Sequence, residues 1–311
     1  MDLSIVIINW NTRDMLRDCL QTVFAGLGDL RAEVIVVDNA STDGSGLMVA
    51  TEFPQIRLIS NVANRGFAAA NNQGFAAASG RHVLLLNSDT LVLGAVLPAM
   101  VDFMDAHPTV GIMGPRVLNR DGTMQVSATG FPTLGRLVAQ TLGLNQFRAF
   151  DGYRMAHWDR RSQREVEVIS GCCMLVRGSA LQKVGPLDAD FFFYGEETDW
   201  CRRFADAGWQ VVFAPVGEIV HFGGGSVRSL NHKRDVMLTE GTVRLHRKHG
   251  GLLAGLACYA LLFGFNLSRA ALWGLLSVKG SAAARDRAGH FARVVADYAK
   301  AWPETKTKAK A

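Results

Sequence analysis

The sequence has no CxxC pair and no Cys/His spacing of the kind that holds zinc. Its five cysteines, Cys19, Cys172, Cys173, Cys201 and Cys258, are odd in number. A disulfide-stapled scaffold and a zinc-built domain are therefore excluded, and a reduced, cytosolic setting is expected. The N-terminus lacks the basic region of a secretory signal. Met1-Asp2-Leu3-Ser4 runs straight into "SIVIINW", too short for a signal core, which reads as a first strand. There is no internal repeat, and low complexity is confined to the terminal "KTKAKA", expected to be solvated. No nucleic-acid-binding motif occurs and the basic residues are scattered among acids, so no nucleic acid is expected despite the net charge of +5. The stretch after the first strand, "NWNTRDML", lacks the Gly-rich, Lys/Arg-bearing loop of a nucleotidyltransferase.

What is present is enough apolar sequence for a real core. Of 311 residues, 49% are hydrophobic and 20% charged, which excludes a disordered chain. Short apolar runs alternate with helix-like segments. "LSIVIINW" reads as a strand, followed by a helix carrying Met15, Leu16, Cys19, Leu20, Val23 and Phe24 on its apolar positions. "AEVIVVDNA" is a second strand ending in Asp38, "IRLISN" a third ending in Asn61, and Val83 to Leu86 a fourth ending in Asn87-Ser88-Asp89. Helices are expected over 67–79 and 94–106, with strands at 110–115 and 210–215 and a strand entering a helix over 169–181. Such alternation predicts an α/β chain with a mostly parallel sheet, whose ligands bind beyond the carboxyl ends of the strands. From about Met237 to Ala301 the pattern is helical.

The polar ends of these strands carry the chemistry, each with a plainer alternative. Asp89, closing a run apolar on both faces, either caps a following helix or holds a metal ion or ligand. Asp38, with Ser41, Thr42 and Asp43, either accepts hydrogen bonds from a base or ribose or forms an ordinary Asx turn. "NRGFAAANNQGF" places a Gly turn and Arg65 before a helix, where backbone N–H groups attract phosphate. Asn71 and Asn72 are poor helix formers and need a reason. Glu196, Glu197 and Asp199 in "YGEETDWCRR" either complement a helix dipole or supply a general base. His221 precedes the glycines of "VHFGGGSVR", where Arg228 either meets phosphate or is solvated.

Taken in order, "SIVIINWN", "VVDNASTDGS", "NRGFAAANNQGF", "LLLNSDT", "SGCCMLVRGSAL…VGPLDADFFFYGEETDWCRR" and "VHFGGGS" resemble glycosyltransferase family 2, with the GT-A fold, and more narrowly its rhamnosyltransferase-like branch. The resemblance covers roughly residues 3–226. It implies a Rossmann-like, mostly parallel central sheet flanked by helices, with a helical C-terminal extension. It also implies a nucleotide site from Asn9, Asp38, Ser41, Asp43, Asn64, Arg65, Gly66, Asn71 and Asn87. Asp89 matches the last Asp of the family's DXD-type motif, whose first Asp is here Asn87, and His221 matches a later metal-side histidine. Mg²⁺ or Mn²⁺ is the implied cofactor. The family's Glu-Asp-x-Asp reads Glu196-Glu197-Thr198-Asp199 here, so the base lies between Glu196 and Glu197, and Glu197 is favoured. Gly171, Cys172 and Asp199 are implied on the acceptor side, although Cys172 and Cys173 equally suit core packing.

The implied activity is inverting transfer of a sugar, rhamnose by the branch, from a dTDP- or UDP-sugar to a glycan or polyprenyl-linked acceptor in cell-envelope polysaccharide synthesis. The alternative is a catalytically degenerate nucleotide-sugar-binding or scaffold protein. Residues 1–236 are expected to form the transferase domain and 237–311 a helical, partly apolar region. Within the latter, "GLLAGLACYALLFGFNLSRAALWGLLSV" is interrupted by Asn266, Ser268 and Arg269 and flanked by "RLHRKH", Lys279, Arg285 and Arg287. That pattern suits peripheral attachment to an anionic leaflet, at the inner face of the cell membrane, better than a clean span. A helical pair packed on protein is the alternative.

Overall fold

The computed structural model describes residues 1–223, 230–278 and 280–304. Eleven strands form among them: β1 Leu3–Asn9, β2 Ala32–Asp38, β3 Arg57–Ser60, β4 His82–Asn87, β5 Thr90–Val92, β6 Val110–Leu118, β7 Ala128–Thr129, β8 Arg164–Glu165, β9 Val168–Ile169, β10 Cys173–Arg177 and β11 Gln210–His221. The main sheet runs β3-β2-β1-β4-β10-β6-β11-β5, with β8 added to β11, while β7 and β9 pair separately. The first four strands are parallel, as the alternation predicts. Strand β10 is antiparallel to both of its neighbours, and β5 is antiparallel to β11, so the sheet is mixed.

Period-two alternation sorts the strand side chains between two apolar layers. Ile5, Ile7, Leu84 and Leu86 pack on one face with Leu16, Leu20 and Val23 of the helix Arg13–Ala25 and with Met100 and Met104 of Val96–Ala106. Val6, Val83 and Leu85 pack on the other with Phe75 of the helix Phe67–Ala77 and with Trp200, Cys201 and Phe204 of Glu196–Asp206. A strand covered on both faces needs apolar residues throughout, which is why these runs are continuous.

Two of these elements are longer than the sequence suggests. β6 reaches Leu118, and β11 continues beyond Pro215 to His221 by absorbing an irregularity between Phe213 and Glu218. Pro cannot donate to a ladder, so the apolar run stops at a position where the strand only bulges.

The chain divides into two compact units. The first holds Met1–Phe131, Asp151–Phe192 and the described residues of 197–224; the second holds Pro132–Phe150, Phe193–Glu196 and the described residues of 225–311. In the second unit, the helical span His232–Ser277 is broken at Gly251, whose φ of 78° and ψ of −176° are not helical. The helix Ala282–Ala296 returns against it. His290 Nε2 meets Asp235 Oδ2 at 2.9 Å, and the Tyr259 and Tyr298 hydroxyls each donate to the other's carbonyl. Leu137 of 132–150 packs with Val243 and Cys258, and His246 Nε2 lies 2.8 Å from the Pro132 carbonyl oxygen. The flanking Lys279, the loop residue Arg228 and the tail "KTKAKA" lie outside the described residues.

Candidate active site at the carboxyl edge of the sheet

The strand register brings the polar termini side by side. Asn9 pairs with Asp38, Asp38 with Ser60, and Ile8 with Asn87. His221, at the end of β11, pairs with Thr90 just past Asp89. These are the carboxyl ends of strands that run the same way, the edge where α/β sheets bind ligands.

Asp38 is 8% exposed, and Asn9 Nδ2 reaches its Oδ1 at 3.4 Å. The same Nδ2 and the Asn11 N–H both donate to Ser41 Oγ at 3.0 Å. This pins the turn after β2 onto the turn after β1. Asp43 is occupied by that turn. Its Oδ2 accepts from the Arg13 N–H at 2.8 Å, and its Oδ1 accepts from the N–H and hydroxyl of Ser45. Burial opposes the charge on Asp43, but these hydrogen bonds outweigh it and hold the carboxyl below its ordinary value. The turn-forming alternative therefore describes Asp43, which holds the loop after β2.

Asn39, not anticipated from the sequence, is the hub of the next network. Its Nδ2 donates to Asn64 Oδ1 and the Gly66 carbonyl, and its Oδ1 accepts from Asn61 Nδ2 and the Arg65 N–H. Gly66 has φ 81°, and a Cβ there would lie 2.6 Å from the Phe192 carbonyl oxygen. Only glycine admits both that backbone and that approach. Arg65 stays exposed at the mouth of this loop. Asn71 is fully buried with Nδ2 on the Phe67 carbonyl, and its Oδ1 has no partner among the described residues. Asn72 clamps the backbone of Leu187 in both directions, which accounts for it structurally.

Asp89 does not cap a helix. It sits in the tight turn from β4 to β5, and the next helix, Val96–Ala106, has Ala95 at its N-cap. Its Oδ1 lies 3.2 Å from His221 Nε2, which is also 3.2 Å from Asn87 Nδ2. His221 Nδ1 lies 2.7 Å from Gln125 Oε1. A hard carboxylate oxygen and an imidazole nitrogen meeting at one point suit Mg²⁺ or Mn²⁺. Among the described residues no three His, Cys, Asp or Glu side chains converge. Most of a coordination sphere would thus fall to other ligands, as these ions accept from phosphate and water. Thr12, also unanticipated, ties the two strand ends: its Oγ1 donates to Asn9 Oδ1 at 2.6 Å and lies 2.8 Å from Ser88 Oγ.

Of the acidic helix start, Glu196 is buried and Glu197 half-buried. A Cβ on Gly171 would lie 3.7 Å from Glu197 Cβ and 3.5 Å from the Phe67 ring, so Gly171 sits beside both. Two residues expected on the acceptor side also have structural partners. Asp199 is 0% exposed and its Oδ2 takes Arg203 Nε at 2.8 Å, while Arg203 also binds the carbonyls of Val184 and Pro186. These contacts tie the helix to the segment before it. Cys172 is packed in the core, its thiol pushed up to about 12 by burial, and only its carbonyl reaches the edge, accepting the Asn87 N–H at 3.0 Å.

The chain is 31% identical over 202 residues, 60% of its length and 66% of the relative's, to the N-acetylglucosaminyl-diphospho-decaprenol L-rhamnosyltransferase of Mycobacterium tuberculosis. It is 27% identical over 206 residues, 65% of its length and 61% of the relative's, to the low-salt glycan biosynthesis hexosyltransferase Agl10 of Haloferax volcanii. The matches thus span just under two thirds of each relative. In structure it is similar to a mannosyltransferase from Pyrobaculum calidifontis in complex with GDP-Man and Mn²⁺, with a TM-score of 0.58 at 17% identity over 96% of this chain and 84% of that one. It is also similar to residues 1–349 of S. aureus TarS in complex with UDP, with a TM-score of 0.53 at 14% identity over 95% and 81% of the two chains. These neighbours establish the GT-A fold. Residues 4–185, more than half of the chain, match the family described as glycosyl transferase family 2, and the chain belongs to that family.

Proposed function

We propose that the protein is an inverting, metal-dependent glycosyltransferase. It moves a sugar, rhamnose by its similarity to the mycobacterial relative, from a dTDP- or UDP-sugar to a hydroxyl of a glycan or polyprenyl-linked saccharide of the cell envelope. The observation that carries this reading is the meeting of Asp89, His221 and Asn87 at the edge that also presents Asp38 and the Asn39-centred loop.

In this reading Asp38 and Asn9 receive the base and ribose, and Arg65 and the Gly66 turn receive the diphosphate. Asp89 and His221 hold Mg²⁺ or Mn²⁺, which when bound supplies positive charge against the charge growing on the leaving nucleoside diphosphate. Glu197 takes the proton of the acceptor hydroxyl. That oxygen bonds to the anomeric carbon from the face opposite the departing diphosphate, whose C–O bond breaks, so configuration inverts. The half-buried setting of Glu197 suits a base better than that of the more deeply buried Glu196.

The C-terminal helices are assigned to the inner face of the membrane as a peripheral attachment. Between residues 252 and 278 the exposed positions include Leu252, Leu253, Leu256, Phe263, Leu267, Leu272, Leu275, Leu276 and Val278 and no charge. Arg269 and Asn266 lie on the other side, which argues for lying along a bilayer and against crossing it.

Binding of UDP and dTDP, with and without Mn²⁺, to the wild type and to Asp89→Ala tests the reading. Metal-dependent binding lost in the variant is expected. No binding of either nucleotide under any metal would overturn it.

A further inference from the structure

His221 is gripped from behind by a directed chain of hydrogen bonds. His221 Nδ1 meets Gln125 Oε1 at 2.7 Å, and Gln125 Nε2 meets Asn119 Oδ1 at 2.9 Å. Asn119 Nδ2 meets Thr123 Oγ1 at 2.9 Å and also faces the Met124 carbonyl, and Thr123 Oγ1 meets Asp121 Oδ1 at 2.6 Å. The backbone holds these residues in one turn beyond β6: Gln125 N–H donates to the Val117 carbonyl, and Asn119 N–H to that of Thr123.

The direction of every bond follows from the far end. A carboxylate and a backbone carbonyl can only accept. Thr123 must therefore donate its hydroxyl to Asp121, which leaves Oγ1 to accept from Asn119 Nδ2. Asn119 then offers Oδ1 to Gln125 Nε2, and Gln125 offers Oε1 to the imidazole. An oxygen there requires a proton on Nδ1. Reversing the chain would set Thr123 Oγ1 against Asp121 Oδ1 with no proton between them, and Asn119 Oδ1 against the Met124 carbonyl.

We infer that Gln125 is a positioning residue that fixes His221 as the Nδ1–H tautomer and so aims an unprotonated Nε2 at the point shared with Asp89. Resting on the metal-dependent reading above, this gives the acidic-edge pair its asymmetry. In solution the Nε2–H form of histidine is ordinarily available, and that form would spend its proton on Asp89 and close the point to a cation. Partners that orient an imidazole from its other nitrogen are worth roughly 10–100-fold in metal affinity. The relay begins at an exposed turn, so the state of a surface carboxylate is felt at the site through four side chains.

The test is the tautomer itself, read without metal or substrate. Long-range ¹H–¹⁵N correlation spectra of the full chain labelled with ¹⁵N-histidine, at pH 8, are compared with those of His221→Asn to assign His221. The wild type is expected to show Nδ1–H. The nearly isosteric Gln125→Met is expected to move the proton toward Nε2 and to weaken Mn²⁺ binding in the presence of UDP on the order of 10-fold. A wild-type proton on Nε2 overturns the inference, as does a folded Gln125→Met with unchanged tautomer or unchanged Mn²⁺ affinity. If Gln125→Met fails to fold, the exposed-turn variant Asp121→Asn decides: it frees the relay to reverse, and a mixed tautomer is expected where an unchanged spectrum refutes. Absence of UDP and Mn²⁺ binding in the wild type would count against the transferase reading, while the tautomer still decides this one.

Discussion

At the carboxyl edge of the sheet, polar side chains are held by other polar side chains. The Asn39 side chain makes four hydrogen bonds and Ser41 Oγ accepts two, over a core that is apolar on both faces of the strands. Along residues 252–278 the arrangement is inverted. Leu253, Leu275 and Val278 are 82%, 76% and 79% exposed, while Asn266 is buried with its amide on a backbone carbonyl. The first region orders polar atoms where a ligand is expected, at the cost of fixing many side chains. The second leaves apolar area in water, which is stabilising only once something apolar covers it. One region is finished in the monomer and the other is not.

The sharpest way to separate them is at the base. Glu197→Gln should lower turnover about 1,000-fold, within the usual span for removing a general base, while UDP binding stays as in the wild type. Steady-state assays beside calorimetric titration check this, and unchanged turnover would remove Glu197 from the mechanism. Next in size, Leu253→Glu with Leu275→Glu should reduce sedimentation with anionic liposomes on the order of 100-fold, since each buried leucine contributes about 1.5–3 kcal/mol. Nucleotide binding should be untouched. If liposome binding survives, the exposed face has another partner.

Gly66→Ala strikes the first region's packing. The strained backbone and the clash with the Phe192 carbonyl should cost about 1–3 kcal/mol, read as a lower urea midpoint, whereas Gly171→Ala meets only ordinary contacts. The smallest effect compares one histidine from each of the two compact units. His82 and His246 are both pushed below the ordinary value by burial, which the Asp105 and Pro132 hydrogen bonds only partly offset. The unfolded chain then binds these protons more readily. The stability they confer is whole above about pH 6.5 and is lost as pH falls through that value toward the folded ones. Urea melts at pH 7.5 and 5.5 should show the loss, and His82→Gln and His246→Gln should each flatten it.

Much of this was legible in the chain. Continuous apolar runs ending in Asp38 and Asp89 placed the parallel half of the sheet and the polar residues at its carboxyl edge, because burial on both faces leaves no other pattern. The insertion of β10 between β4 and β6 was not legible, since pairing of strands far apart in sequence leaves no local trace. Nor was the turn at Asp89, which looks like a helix cap until β5 is seen to follow. Asp199 carried a readable signal: Arg203 stands four residues on, the spacing of a helical ion pair. Gln125 carried none, because its part depends on where β11 ends.

The placement of β10 also shapes how the chain comes to be folded at all. Strands β1 to β4 are complete at Asn87, but the partner for the outer edge of β4 begins at Cys173, about 85 residues later. At roughly 5–20 residues per second of synthesis, that edge waits about 4–17 s. His221 follows later still. During that interval a nascent chain presents an unpaired strand with an apolar centre, Val83 to Leu86, the kind of edge that recruits neighbours. Slower translation between those points should therefore lower the soluble yield of this protein, with no change in its final sequence or stability.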